Sequence, residues 1–426
     1  MGTASSRSTL RQHWRERAPV RLFMNVGVAI GGVVLARFLG LITTVFLIRR
    51  MSDEGYGLYT ALDTLLGVVI IFSGFGLDNW LLRQGGSPET LRSQIQRTFS
   101  LRLFATLALM VVGIALIIGT AQPGMTLALL LASGAALLFE LLLTTAHTAL
   151  RAQNRSQSAA ILQVVAAGLY ILLLLWLWPE GAKISPDAAT GYRMAASGIG
   201  IVLMVWMLRN NLRIVWAPRD FAQLAVEARA YFASDILANI ALKADLTLVT
   251  LLIGTTAAGI YSPALVVINT TFIVPSIAAQ VLLPVLSRPT LPQREFRWIV
   301  VLSIIASVMY GLIWLATLTW QSEWIITAVF QQEFVLPAIQ LLQIMAVIPL
   351  LKSINFCWVM VMIARDRQGL RTRLQVAGSV FNIIGNLIWI PMFGLVGAAW
   401  VNMVTEVLLL ACYSYGAWVV LRRRDS

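Results

Sequence analysis

The stretch LANIALKADLTLVTLLIG, residues 237–254, is almost wholly apolar yet carries Lys243 and Asp245 at its middle. Asp235 lies just before it, and Arg37 sits deep in an equally apolar run upstream. A charge at the centre of a membrane helix costs about 2.5–3.5 kcal/mol on insertion scales, so each of these residues needs a compensating environment. On a helix Asp235, Asn239 and Lys243 fall at i, i+4 and i+8, one polar stripe. Asp245 lies roughly 200° round from Lys243 at 100° per residue. It therefore requires a partner on another helix or a water-filled space.

Other apolar runs carry similar groups. Asp63 and Asp78, both in the apolar run 57–82, project roughly 60° apart on a helix, close enough to share a face. Glu140, Thr144, His147 and Arg151 are spaced 4, 3 and 4 along one helical face. That stripe reads either as a carboxylate–imidazole proton relay, since histidine titrates near neutrality, or as a hydrogen-bonded seam between helices. Asn382 with Asn386, and Asn402 with Glu406, are i, i+4 pairs that read as polar contacts between helices. Lys352 and Asn355 lie in a further apolar region, with either role open to them.

These residues sit in a chain that is 58% hydrophobic and only 12% charged, with a mean hydropathy of +0.80. A soluble domain carries roughly 25% charged residues, so the solvent is a membrane. Cys357 and Cys412 both fall inside apolar runs, which excludes a disulfide framework or zinc site. The N-terminus begins MGTASS, a match to the myristoylation pattern, but such an anchor is redundant in a spanning protein.

Apolar stretches of span length recur twelve times, near 22–48, 57–82, 99–119, 125–149, 159–178, 194–208, 230–253, 259–286, 298–319, 324–350, 374–393 and 395–421. With the N-terminus inside, 25 of the 32 Lys and Arg residues fall on the cytoplasmic side. Four (Arg49, Arg50, Lys183 and Arg193) fall in outer loops, and Arg37, Lys243 and Lys352 lie inside spans. This asymmetry places both termini in the cytoplasm. The formal charge of +13 is thus an orientation signal, not a nucleic-acid patch.

The halves of the chain resemble each other. EGYGLYTAL at 54–62 is echoed by AAGIYSPAL at 257–265, and LRAQNRSQSAAILQV at 150–164 by MIARDRQGLRTRLQV at 362–376. A repeat of about 200 residues holding six spans implies two pseudo-symmetric six-helix lobes. The expected organisation is a basic cytoplasmic tail over 1–21, an N-lobe over 22–208, a cytoplasmic linker over 209–229, a C-lobe over 230–421 and a basic end over 422–426. Pro263, Pro275 and Pro284 predict a kinked eighth span.

VFNIIGNLIWIPMFGLVGAAWVNMVTE (380–406), DEGYGLY after the first span, and KADLTLVTLLIGTTAAGIYSPA in the seventh and eighth resemble the signature elements of polysaccharide transporters. The resemblance covers the whole chain and points to Wzx-type flippases of lipid-linked oligosaccharides, within the multidrug/oligosaccharidyl-lipid/polysaccharide exporter superfamily. It implies an all-α integral membrane protein of about twelve spans, two lobes around a central cavity lined by spans 1, 2, 7 and 8, in a bacterial inner membrane. It implies a substrate too: an undecaprenyl-pyrophosphate-linked repeat unit of O-antigen, capsule or exopolysaccharide, carried to the outer leaflet by alternating access. Polysaccharide polymerase and assembly proteins are the partners such a family suggests, with membrane lipids around it and no nucleic acid.

On that mapping Arg37, Asp63, Asp78, Asp235, Lys243 and Asp245 become candidate substrate-binding residues. Arg37 and Lys243 would serve the pyrophosphate, with Glu140, His147 and Asp245 as candidates for ion coupling. No cofactor or metal is expected. Interhelical ion pairing is the competing role for each charge. A multidrug exporter of the same superfamily is the alternative function. A membrane polymerase or ligase is a more distant one, because the longest outer loop, WPEGAKISPDAATGYR (178–193), holds no His or Cys.

Overall fold

The computed structural model describes residues 31–83, 88–119, 124–153, 155–177, 182–287, 291–329 and 335–422. The N-terminal basic tail and the extreme C-terminus lie outside these residues, as do the side chains of Asp235, Asn239 and Pro284.

Among the described residues every regular element is helical. The N-terminal half comprises α1 (Gly31–Arg50), α2 (Asp53–Ile70), α3 (Leu77–Arg83), α4 (Pro88–Gly119), α5 (Leu127–Ala152), α6 (Ser156–Leu177) and α7 (Pro186–Leu208). The C-terminal half comprises α8 (Pro218–Leu252), α9 (Thr255–Thr270), α10 (Ile273–Leu286), α11 (Gln293–Trp320), α12 (Ser322–Val329), α13 (Val335–Met345), α14 (Ile348–Ala364) and α15 (Gln368–Arg422). Ser52, Thr126 and Ser185 cap α2, α5 and α7, each side chain accepting from a backbone N–H three residues on.

Ten described helices are long and apolar enough to span a membrane. One of these, α15, is two spans joined at Gly394, whose φ of 60° breaks the helix at the expected FGLVG turn. The charge-bearing helix α8 completes the set of twelve. Large apolar side chains face outward, among them Val111 at 66% exposure and Trp176 and Trp320 at 83%. Trp176 and Trp320 end α6 and α11 on one side of the molecule, whereas Trp298 opens α11 on the other. Indole rings at both rims are the expected anchors at membrane–water interfaces. The chain is a multi-pass, all-α membrane protein with two six-span lobes.

Three boundaries differ from expectation. The tenth span runs over Leu336–Ala364, not 324–350. The stretch from 324 to 364 is about twice the length a bilayer needs, and its polar break, Gln331-Gln332-Glu333, falls just before the span that the structure takes. The segment expected to be a linker over 209–229 is non-helical only over 209–217. From Pro218 it is already α8, with Phe221, Leu224 and Ala228 buried along one face against the N-lobe. Asp220 pairs with Arg97 at 3.3 Å, which ties the start of α8 to α4. Finally, the second span is not one helix. A 3-10 turn over Ile71–Gly74 ends in left-handed Phe75 (φ 46°) and Gly76 (φ 67°), and α3 starts afresh.

The sequence repeat is also a backbone repeat. Between α5 and α6 the Arg155 N–H donates to the Leu150 carbonyl at 2.8 Å, and between α14 and α15 the Arg367 N–H donates to Met362 at 2.8 Å. The GYGLY and AGIYS echoes meet across the lobes. At Gly57 in α2 a Cβ would collide with the Thr255 carbonyl of α9 and crowd the Gly259 nitrogen. Glycine is required there because the two helices touch backbone to backbone.

That contact belongs to an apolar cluster drawn from both lobes, including Leu47, Tyr56, Val249, Tyr261, Leu342 and Ala398. These residues sit at the ends of α1 and α8, in α13, and at the starts of α2, α9 and the second arm of α15, all at one end of the bundle. Towards the other end, the described clusters draw on the lobes separately, apart from the anchored start of α8. The lobes are therefore packed together at one end.

Candidate functional site

The interlobe face holds a network of four charges. Arg193, 15% exposed on α7, donates from Nε and Nη2 to the two carboxylate oxygens of Glu140 on α5 at 2.7 and 2.6 Å. The same Nη2 lies 2.9 Å from Asp63 Oδ1 on α2. That second contact is an ion pair without hydrogen-bond geometry, because Asp63 Oδ1 accepts no hydrogen bond. Lys243 on α8 then reaches Asp63 from the other lobe, with Nζ 3.4 Å from Oδ2 and 3.3 Å from the backbone carbonyl. Its ammonium occupies the space left by Gly67, where a Cβ would collide with it. Two carboxylates and two cations neutralise one another, which resolves the cost of placing them at membrane depth.

Arg193 was expected in an outer loop, and the structure corrects this. The helix signal was present in the sequence: Ser185 as N-cap, Pro186 in the first turn and Asp187 after it. Starting α7 there carries Arg193 into the span. Glu140 is consequently paired with Arg193, and no hydrogen bond joins it to His147 among the described residues. The His147 Nε2 is buried without a partner, and Arg151 is exposed.

The C-lobe repeats this arrangement with its polarity reversed. An offset of 212 residues, the one relating 150–164 to 362–376, carries Glu140 onto Lys352 and Arg193 onto the neighbour of Glu406. Lys352 pairs with Glu406 at 3.1 Å. Asn355 donates to the other Glu406 oxygen at 3.0 Å, and Lys352 lies 4.5 Å over the Phe272 ring. On the same side Asn386 donates to Asp245 at 2.8 Å and to Asn382 at 3.1 Å. Asp245 and Lys243, two residues apart on α8, thus serve opposite lobes. The Asn residues read as helix glue join Asp245, Lys352 and Glu406 around a cavity of about 300 Å³ within the C-lobe.

Arg37, exposed on α1, reaches across the lobes to Ser276 of α10 at 3.4 Å. Among the described residues no carboxylate pairs with it. Ser276 sits just past the break in the eighth span, where Pro275 cannot supply the N–H that the Thr271 carbonyl would otherwise accept. The Tyr310 hydroxyl of α11 supplies the bond instead, at 2.7 Å.

Asp78 does not join Asp63. The break at Phe75–Gly76 re-aims α3, and Asp78 takes a two-pronged pair with Arg102 of α4 at 3.0 and 2.9 Å. Arg102, 3% exposed, also donates to Thr145 at 2.6 Å. The Asp235 side chain lies outside the described residues.

The profile of a family described as polysaccharide biosynthesis protein matches residues 22–289. No curated protein sequence matches the chain. Among solved structures, a lipid II flippase MurJ in an inward closed conformation superposes with a TM-score of 0.72 at 14% identity, over 90% of this chain and 86% of that one. A multidrug resistance MATE transporter of the MOP superfamily, inward-facing, gives 0.68 at 12% identity over 92% and 96%. A MOP superfamily transporter from Pyrococcus furiosus gives 0.58 at 12% over 94% and 95%. At such identities the likeness is one of fold, and the family assignment rests on the profile, which spans more than half of the chain. The chain belongs to the family described as polysaccharide biosynthesis protein.

Proposed function

We propose that this protein moves an undecaprenyl-pyrophosphate-linked oligosaccharide from the cytoplasmic to the outer leaflet of a bacterial inner membrane, by alternating access of its lobes. The observation that carries the reading is Arg37, a guanidinium at mid-span on the interlobe face that faces no carboxylate among the described residues. A cation held in low dielectric needs an anion, and a guanidinium fork matches phosphate oxygens. Lys243, 3.4 Å from its carboxylate and 31% exposed, is the second cation for the pyrophosphate. The isoprenoid tail stays in the bilayer, so only the headgroup crosses between the lobes. Asp245, bound by Asn386, is the group we assign to ion coupling. The excess of Lys and Arg supports an orientation with both termini in the cytoplasm and the packed end of the lobes outside.

A multidrug exporter remains the second reading, favoured by the fold shared with a MATE transporter. Cationic drugs need free carboxylates, and Asp63 and Glu140 are already neutralised by Lys243 and Arg193. The test is leaflet-resolved transport of a fluorescent undecaprenyl-pyrophosphate oligosaccharide in proteoliposomes. Wild type should flip it, and Arg37→Ala and Lys243→Ala should each lose flipping while remaining folded. Normal flipping in the double variant would sink the site assignment. Drug resistance conferred in cells, without flipping, would move the exporter reading to the front.

A further inference from the structure

The C-lobe cavity has a lining that the pyrophosphate does not explain. It lies between α9, α14 and the two arms of α15, away from Arg37 on α1. Three of its four charged groups are already satisfied: Lys352 and Glu406 by each other, and Asp245 by the Asn386 amide. What remains is the Arg371 guanidinium among neutral, hydrogen-bonding groups. Asn269, Asn355, Gln375 and Asn402 line it together with Arg371 and the Tyr413 ring.

Two polar atoms of this lining are buried without partners. One is Oδ1 of Asn355, a residue 4% exposed, and the other is Nε of Arg371. The Asn355 amide cannot be turned round to exchange its ends. Its Nδ2 donates to the Glu406 carboxylate, which only accepts, so Oδ1 must be the free end. The cavity therefore presents one unmet acceptor and one unmet donor. A phosphate, which only accepts, would leave Asn355 unpaired. A metal cation, which offers neither donor nor acceptor, would leave Arg371 unpaired and be repelled by it. A hydroxyl gives and takes a hydrogen bond, and a carbohydrate presents several around a ring whose C–H face suits an aromatic wall.

We propose that this cavity is the subsite for the sugar moiety of the transported lipid, with Asn269, Asn355, Arg371 and Gln375 reading its hydroxyls. The inference rests on the flippase reading and adds a division of labour. Arg37 and Lys243 hold the pyrophosphate common to all such carriers, and the C-lobe cavity selects the glycan. A buried acceptor and donor discriminate strongly, because a glycan lacking the matching hydroxyl leaves them unpaired.

The test uses the full chain in lipid nanodiscs and direct binding of two probe types. One is bare undecaprenyl pyrophosphate; the other is the same carrier bearing a neutral hexose, an N-acetylhexosamine or a uronic acid. Wild type should bind at least one glycosylated carrier more tightly than the bare one. The double variant Asn269→Ala/Gln375→Ala should lose about tenfold of that affinity, about 1.4 kcal/mol, while binding of the bare carrier is unchanged. Val359→Trp, which fills the cavity from an apolar lining position, should do the same and guards against an effect of lost polar groups on folding. Equal losses on bare and glycosylated carriers, no loss in either variant, or no preference for any glycan by wild type would overturn the subsite. Failure of wild type to bind even the bare carrier would instead overturn the flippase reading beneath it.

Discussion

Lys243 of α8 lies 3.4 Å from the Asp63 carboxylate of α2, so one ion pair spans the two lobes at the depth where the lining helices meet. The seat for its ammonium is Gly67, one helical turn past Asp63, where a Cβ would collide with Nζ. Gly67→Ala should push the ammonium out of that seat and cut flipping about tenfold or more, on the scale expected when a charge-assisted contact worth about 1.5–3 kcal/mol is lost. Melting temperature should change little. A variant that flips normally would show that the Lys243–Asp63 contact is not used in transport.

Arg193 serves two carboxylates at once, Glu140 and Asp63. Removing it strands Glu140 at membrane depth and leaves Asp63 to Lys243 alone, whereas removing Glu140 leaves Arg193 with Asp63. Arg193→Gln should therefore destabilise the protein by about 3–5 kcal/mol, the usual cost of orphaning a buried charge. Glu140→Gln should cost less, and the double variant should recover part of the loss. Thermal unfolding of the purified protein in one detergent checks this order, which would be reversed if Glu140 had a second cation.

The Tyr310 hydroxyl stands in for the N–H that Pro275 lacks, by donating to the Thr271 carbonyl at 2.7 Å. Tyr310→Phe should cost about 0.5–1.5 kcal/mol, the net worth of one such bond. In a Pro275→Ala background, where a backbone N–H becomes available, the same change should cost less. Additive losses in this double-mutant cycle would mean that the two groups do not serve the same carbonyl.

Gly57 allows α2 and α9 to touch through their backbones at the packed end of the lobes. Gly57→Val should pry that end apart. Distances between spin labels placed within 182–185 and within 320–329 should lengthen, and the population should move away from this packed state. Unchanged distances with full transport would show that the contact tolerates a side chain.

The Asp78–Arg102 pair should behave as a structural element. Arg102→Ala should lower the melting temperature by several degrees, because it leaves Asp78 and Thr145 without their donor. Asp78→Asn/Arg102→Gln should recover much of that stability and leave glycan preference unaltered in the binding assay. A shifted preference would return Asp78 to the substrate path.

Much of this molecule was legible without tertiary structure. The twelve spans, the membrane itself and the two-lobe repeat are written in local properties: hydropathy over about twenty residues, and echoes such as GYGLY and AGIYS that meet at Gly57 and Gly259. Helical spacing also separated Lys243 from Asp245, which do serve different lobes. The partners of the charges were not legible, because pairing depends on where each helix starts, where it breaks and how it is rotated against its neighbours. A start at Ser185 takes Arg193 from a loop to the centre of the charge network, and a break at Phe75–Gly76 takes Asp78 away from it. The tenth span did leave a local trace, the polar break Gln331-Gln332-Glu333, and a span that starts after it sets Lys352 near its middle. Which end of the lobes is packed together is a property of the assembled bundle. The same side chains can meet at either end, and contacts between lobes leave no periodic trace along the chain.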